Sequence, residues 1–209
     1  MAASRPPDEG LVQRLTRGGP VHEVEDRLLA DVGSLGHPAR VVCIFEISAL
    51  PTRETPATGP DVSLGVHLHR VIDPGNVGTV VRACGALGPA WLSLSPGCSD
   101  PLSAKGVRAS MGAVFRVPIE AGAEPPEAGR RIALVPDGAP PLWELDLTRS
   151  AVFVVGAERY GLPAEIVESC DATASIPQAV GSESLNAAQA ATIALYEAVR
   201  RRAAATATD

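Results

Sequence analysis

Three stretches of the sequence set polar, titratable and small residues at spacings that suit a ligand site. The first is Asp73-Pro74-Gly75-Asn76, with Arg82 further on and Gly88 closing the run. It joins a strand-like segment to a helix-like one, and in open α/β sheets ligands bind at such strand ends. Asn76 can cap the helix, and its carboxamide can equally face a substrate. Arg82 falls just under two turns later, roughly 9 Å along the axis at about 1.5 Å per residue. Apolar neighbours flank it, which points to a groove. A capped helix with one surface arginine is the plainer reading of the same residues.

The second stretch runs Val152-Phe153-Val154-Val155-Gly156-Ala157-Glu158, then reaches Gly161-Leu162. A glycine at a strand exit lets backbone approach a ligand closely, and Glu158 follows at once. The pattern is not GxGxxG, so a dinucleotide site is disfavoured. A strand ending in a turn with solvated charges remains the alternative. The third stretch is Ile176-Pro177, Gly181-Ser182-Glu183-Ser184-Leu185-Asn186, leading into an alanine-rich helix. The free N–H groups opening that helix can hold an anionic group such as a carboxylate. Ser182 or Ser184, with Asn186, would otherwise be a helix cap, and the alanines from Ala187 to Ala198 suit either a core helix or a face for a twin subunit.

The elements that must position these stretches follow from periodicity. Val21, Val24, Leu28 and Val32 recur at helical spacing over residues 21–36, and 41–47 (VVCIFEI) reads as a strand. Residues 1–20 read as disordered or loosely attached, and 48–60, with three prolines, as a linker. Beyond that, strands are predicted at 62–68, 90–94, 114–117, 132–135, 152–155 and 172–175. Helices are predicted at 77–87, 101–111, 163–168 and 184–203, and residues 119–130 should hold at most a short helical turn. This alternation predicts an α/β domain with a parallel sheet covered on both faces.

Composition limits the classes available. The 209 residues, 45% hydrophobic and 20% charged, fit one globular domain with a small appendage. Aromatics make up 3%, so the core must be aliphatic. The net charge is −6 and Lys105 is the lone lysine, so any nucleic-acid contact needs a local arginine patch. Cys43, Cys84, Cys98 and Cys170 form no CxxC, which predicts free thiols and no metal site. No apolar run reaches membrane-spanning length, and Met1–Gly10 is polar and proline-bearing, so no membrane partner, no signal peptide and a cytoplasmic location are expected.

Together the three stretches resemble the signature motifs of the SpoU/TrmH family of RNA 2′-O-methyltransferases, within the SPOUT superfamily. The matching residues are Asp73-Pro74, Asn76, Gly78, Arg82 and Gly88; then Gly156, Glu158, Gly161 and Leu162. They continue with Ile176-Pro177, Gly181, Ser184-Leu185-Asn186 and Leu195-Tyr196-Glu197. The run from Arg108 to Pro118 is similar to a further family segment, and the resemblance covers residues 61 to about 203. It implies a SPOUT fold for residues 61–209, closed by a C-terminal trefoil knot, and a homodimer that shares its RNA site. Residues 1–60 then resemble the end of an L30e-like substrate-binding domain, a small reduced N-terminal unit followed by the linker.

The resemblance further implies S-adenosylmethionine as cofactor, held around Gly156, Ile176 and Leu185. It implies a ribosomal or transfer RNA substrate methylated on a ribose 2′-hydroxyl, which RNA has and DNA lacks. Asn76, Arg82, Glu158, Ser184 and Asn186 become the catalytic set. An arginine stays protonated, so Arg82 is expected to act as a cation that holds phosphate and steadies a developing alkoxide. The proton then passes to a phosphate oxygen or to water. Two rivals stand beside this reading. One is a non-catalytic RNA-binding or assembly protein with the same fold, and the other a nucleotide-binding α/β protein, for which a glycine-rich phosphate loop is missing.

Overall fold

A computed structural model describes residues 1–2, 7–32, 39–52, 63–122, 124–179, 181 and 184–206. The chain divides into two compact units, Met1–Ala49 and Leu50–Asp209.

The larger unit holds six parallel strands: β1 (Leu64–His69), β2 (Ala90–Leu94), β3 (Ile119–Ala121), β4 (Arg130–Leu134), β5 (Ala151–Gly156) and β6 (Ala172–Ala174). Their order is β3-β2-β1-β5-β4-β6. All-parallel pairing needs crossovers, and the chain supplies α3 (Pro74–Ala86), α4 (Ala104–Ser110) and α5 (Ala164–Ser169), with α6 (Ala187–Thr206) following the last strand. The first turn of α3 is specified locally. Asp73 accepts from the Asn76 N–H at 2.9 Å, and Pro74 opens the helix, where its missing N–H costs nothing. Such a cap contributes about 1 kcal/mol.

The main hydrophobic cluster lies on one face of the sheet, while Trp91, Ala133, Val152 and Val154 are buried on the other. Leu64, Val66 and Leu68 of β1 pack with Leu92, Leu94, Phe153 and Val155 against Val77, Val80, Val81 and Cys84 of α3. On α6, Ala187, Ala188, Ala191, Ala194, Leu195 and Ala198 complete the same cluster. The alanines are therefore used inside the protomer, so a subunit contact through that face is corrected. Their small size lets the helix lie close to sheet and helix neighbours, and Ile193 and Tyr196 are the large apolar residues that α6 exposes. Gly78 serves a similar end, since a Cβ there would fall 2.3 Å from the Gly106 carbonyl oxygen of α4. The opposite face of β1 carries His67, whose Nδ1 lies 2.9 Å from Ser93 Oγ and whose burial lowers its pKa to about 4. It is neutral in the fold.

Two details of the predicted elements shift. The strand expected at 114–117 is a 3-10 turn, Ala113–Phe115, and the edge strand forms only at Ile119–Ala121. Met111 (φ 49) and Gly112 (φ 83) both turn left-handed after α4, so the chain is still reversing where the apolar residues suggested extension. Residues 119–121, expected as a turn at most, take up the pairing with β2.

The smaller unit departs further from its pattern. Residues 9–18, read as loosely attached, form α1 (Glu9–Gly18), capped by Asp8 accepting from Leu11 N–H at 2.9 Å. None of its residues is buried. The 21–36 helix shortens to α2 (Asp26–Val32), with 33–38 outside the described residues. The helix buries a different face from the one predicted: Leu29 is buried, while Leu28 and Val32 are exposed. Residues 41–47 form no strand; a 3-10 turn, Ile47–Ala49, ends them, and Ile44 is 95% exposed. A strand needs a neighbour for its backbone groups, and this unit offers one isolated bridge, Ala2 with Val24, among the described residues. Of the 48–60 linker, residues 53–60 lie outside the described residues.

Candidate active site

The carboxyl ends of β1, β4 and β5 open at one edge of the sheet, and the candidate residues other than Arg82 gather there. At the exit of β5 the chain makes a tight turn, with the Gly161 N–H donating to the Ala157 carbonyl at 2.8 Å. Gly161 takes φ +64, which a side chain would resist. Gly156 lies directly beneath: a Cβ there would come within 2.2 Å of the Gly161 carbonyl carbon. The turn is thus folded onto the strand end by two glycines, and it aims Glu158 back toward α3.

Three polar side chains from three distant segments then meet in a directed chain. Asn186 Nδ2 donates to Asn76 Oδ1 at 2.9 Å. Asn76 Nδ2 donates to Glu158 Oε1. The Asn186 Oδ1 accepts from the Ala188 N–H at 2.8 Å, so the chain begins at the N-terminus of α6. Each amide has its orientation fixed by the partner it serves. Positive helix-end potential at one end and a carboxylate at the other favour this polarity. Gln189 closes the cap by accepting from the Asn186 N–H at 3.2 Å.

Beside this chain lies a cavity of about 390 Å³. Gly156, Ile176 and Leu185 line it, as do Glu158 and Ser184. Leu134, Val155, Leu162, Ala187 and Ala190 add apolar wall, and the volume falls in the range of small-molecule sites. Small residues on α6 and bare backbone at Gly156 leave room for a flat, partly apolar ligand with polar edges. S-adenosylmethionine fits such a donor set.

Asn76 and Asn186 stand behind Glu158, joined to the cavity through it. Arg82 is placed differently. Six residues on from Asn76, it lies about 120° around the helix at 3.6 residues per turn, and it is exposed outside the cavity wall. It makes no ion pair or hydrogen bond among the described residues. Ser182 and Glu183 lie outside the described residues, while Ser184 is exposed at the cavity rim.

Sequence reasoning missed three participants. Lys105 Nζ reaches Asp73 Oδ2 at 2.6 Å, and with the Asn76 N–H it holds the Asp73 carboxyl below its usual range. Nothing local in the sequence pairs α4 with the start of α3. Gln189 was legible, since Asn186-x-x-Gln189 is a capping-box spacing. The exit of β4, Leu134-Val135-Pro136, also walls the cavity and could have been suspected as a third strand end. Among the described residues no group of three or more His, Cys, Asp or Glu could hold a metal ion.

Comparison with known proteins gives a consistent picture. A profile of the SpoU rRNA Methylase family matches residues 63–196. An uncharacterised tRNA/rRNA methyltransferase of Synechocystis is 35% identical over 190 residues, spanning 87% of this chain and 68% of that protein. A 23S rRNA (uridine-2′-O)-methyltransferase of Streptomyces viridochromogenes is 35% identical over 194 residues, spanning 84% of this chain and 65% of that protein. The chain therefore covers about two thirds of the length of either relative. Among solved structures, an AdoMet-bound rRNA methyltransferase from Sinorhizobium meliloti superposes with a TM-score of 0.77 at 35% identity. That match covers 91% of this chain and 75% of the other.

Proposed function

The chain belongs to the SpoU rRNA methylase family, and from that premise we propose that it transfers a methyl group from S-adenosylmethionine to a ribose 2′-hydroxyl of ribosomal or transfer RNA. The observation that carries this is the convergence of Gly156, Ile176 and Leu185 on one cavity beside the Asn186–Asn76–Glu158 chain. Ribosomal RNA is the preferred substrate class, in keeping with the Streptomyces relative's name.

Bound cofactor supplies an electrophilic methyl on a sulfonium. The chain's own residues supply position and field. Gly156, Ile176 and Leu185 hold the ligand through backbone and apolar contact. Glu158, fixed by Asn76, and Ser184 at the rim would orient the ribose 2′-hydroxyl toward the cavity. Arg82, exposed outside the cavity wall of its own protomer, would act on the site of a twin subunit, holding a phosphate and steadying the alkoxide as the proton leaves for a phosphate oxygen or water.

The remaining features follow the family. We read β5 to α6 as closing a trefoil knot, residues 1–60 as a reduced L30e-like unit with its linker, and 61–209 as the SPOUT domain. We read the working form as a homodimer, in which the exposed Ile193 and Tyr196 of α6 are available to a twin subunit. Sedimentation at micromolar concentration should give a dimer, and a clean monomer would remove this part. The location is read as cytoplasmic, where such RNA is met; no described helix is long and apolar enough to cross a membrane. Mapping 2′-O-methyl sites in total RNA with and without the gene tests the function. Loss of one site is expected; an unchanged map would favour a binding or assembly role instead.

A further inference from the structure

Arg70 is the odd residue at the carboxyl edge of the sheet. Its φ is +53, and only Met111 shares a positive φ among the described non-glycine residues. Met111 caps α4, where a left-handed residue is ordinary. Arg70 ends no helix. It follows β1 directly, and the left-handed region costs a residue with a Cβ about 1 kcal/mol or more. The conformation is imposed from outside: the Arg70 N–H donates to Ser95 Oγ at 3.0 Å. Glycines take the other left-handed turns nearby, at Gly97 and Gly161. A glycine would serve the backbone better at residue 70 as well.

The guanidinium makes no ion pair among the described residues. Lys105, by contrast, is committed to Asp73. The stem of Arg70 leans over the Gly97 turn, where a Cβ on Gly97 would sit 3.7 Å from Arg70 Cγ. Its place in the chain is also telling. His69, the residue before it, pairs in register with Gly156 of the cavity wall. Asp73, three residues after it, caps the helix that sets Asn76 on Glu158. An exposed cation with no ion pair among the described residues is thus held in a costly conformation at the end of the strand that leads into the site. Strain of this kind persists where function requires the side chain.

We propose that Arg70 binds a backbone phosphate of the RNA substrate at this edge, and so helps seat the target ribose. This rests on the methyltransferase reading above. An RNA strand that brings a ribose to Glu158 must run along the carboxyl edge, with phosphates on either side of the sugar. Arg70 is then a substrate-binding residue distinct from the Asn76–Glu158–Asn186 chain, in a protein whose net charge of −6 otherwise repels RNA.

Arg70→Gly separates the two demands on this residue, because glycine relieves the backbone and removes the cation. Its melting temperature should equal or exceed that of the wild type by about 2 °C. Its affinity for S-adenosylmethionine, by calorimetry, should be unchanged. Its affinity for an unmodified ribosomal RNA transcript should fall about tenfold, and the slope of log affinity against log salt should shrink by about 0.7 to 0.9, one phosphate contact. Arg70→Asn, which also tolerates the left-handed region, should behave alike. Unchanged RNA affinity and salt slope in both variants would overturn the assignment, as would loss of cofactor binding. If the wild type neither binds the transcript nor methylates it, the methyltransferase reading fails and this inference with it. If the wild type methylates the transcript and the variants match it, Arg70 alone is misassigned.

Discussion

The two halves of the site are built in opposite ways. The proposed cofactor half is a concave cavity walled largely by glycine backbone and apolar side chains, and its carboxylate is tied to Asn76 and through it to Asn186. The substrate half is open: Arg82 is exposed, Ser184 sits at a rim, and Arg70 projects from a strained turn. A small ligand can be gripped by shape within one protomer. A polyanion is held by charges on a surface, and its site is completed only when it arrives. The difference implies that the halves fail separately when altered.

Arg82→Ala should show the largest effect. Removing one cation from the developing charge typically costs about 10²–10³ in turnover, so kcat should fall by that much on a validated RNA. Cofactor affinity should stay within about twofold, because an effect confined to the transition state leaves ground-state binding alone. A parallel fall in cofactor affinity would merge the two halves. Gly156→Ala should do the reverse. Its Cβ would press on the Gly161 backbone, and relieving that overlap costs about 1–3 kcal/mol. Cofactor affinity should weaken about tenfold to a hundredfold by calorimetry, with turnover at saturating cofactor much less affected. Retained affinity would show that the turn does not shape the cavity.

The smallest effect belongs to the residue that joins the halves. Asn76→Ala leaves Glu158 without its amide donor and Asn186 without its acceptor. Melting should report a loss of about 1–2 kcal/mol, and both cofactor affinity and turnover should decline modestly. A change in one constant alone would place Asn76 wholly in that half.

Legibility followed the same division. The cofactor half could be read because glycines at strand exits and a capped alanine-rich helix have local causes, visible at Gly156 and Asn186. Five of the six strands of the larger unit were found nearly in place, since buried parallel strands write continuous apolar runs, whereas the short, half-exposed edge strand Ile119–Ala121 was missed. Arg82 was found as a residue, but its separation from the cavity wall depends on helix phase and not on motif spacing. Lys105 and Arg70 were missed because an ion pair across helices and a strained φ leave no trace in local pattern. In the smaller unit, periodicity misled where little is buried. Without a core to select one face, Leu28 and Leu29 are equally good candidates, and residues 41–47 have the composition of a strand without a partner.

The central claim is transfer to a ribose oxygen, and one measurement bears on it most directly. The purified protein is incubated with methyl-labelled S-adenosylmethionine and unmodified ribosomal RNA transcript, and the RNA is then hydrolysed with alkali. A 2′-O-methyl group removes the hydroxyl that alkali uses to cut the chain. The account predicts label in alkali-resistant dinucleotides, lost with Arg82→Ala. Label recovered in mononucleotides would mean base methylation, and no incorporation into either ribosomal or transfer RNA would contradict the enzyme assignment itself.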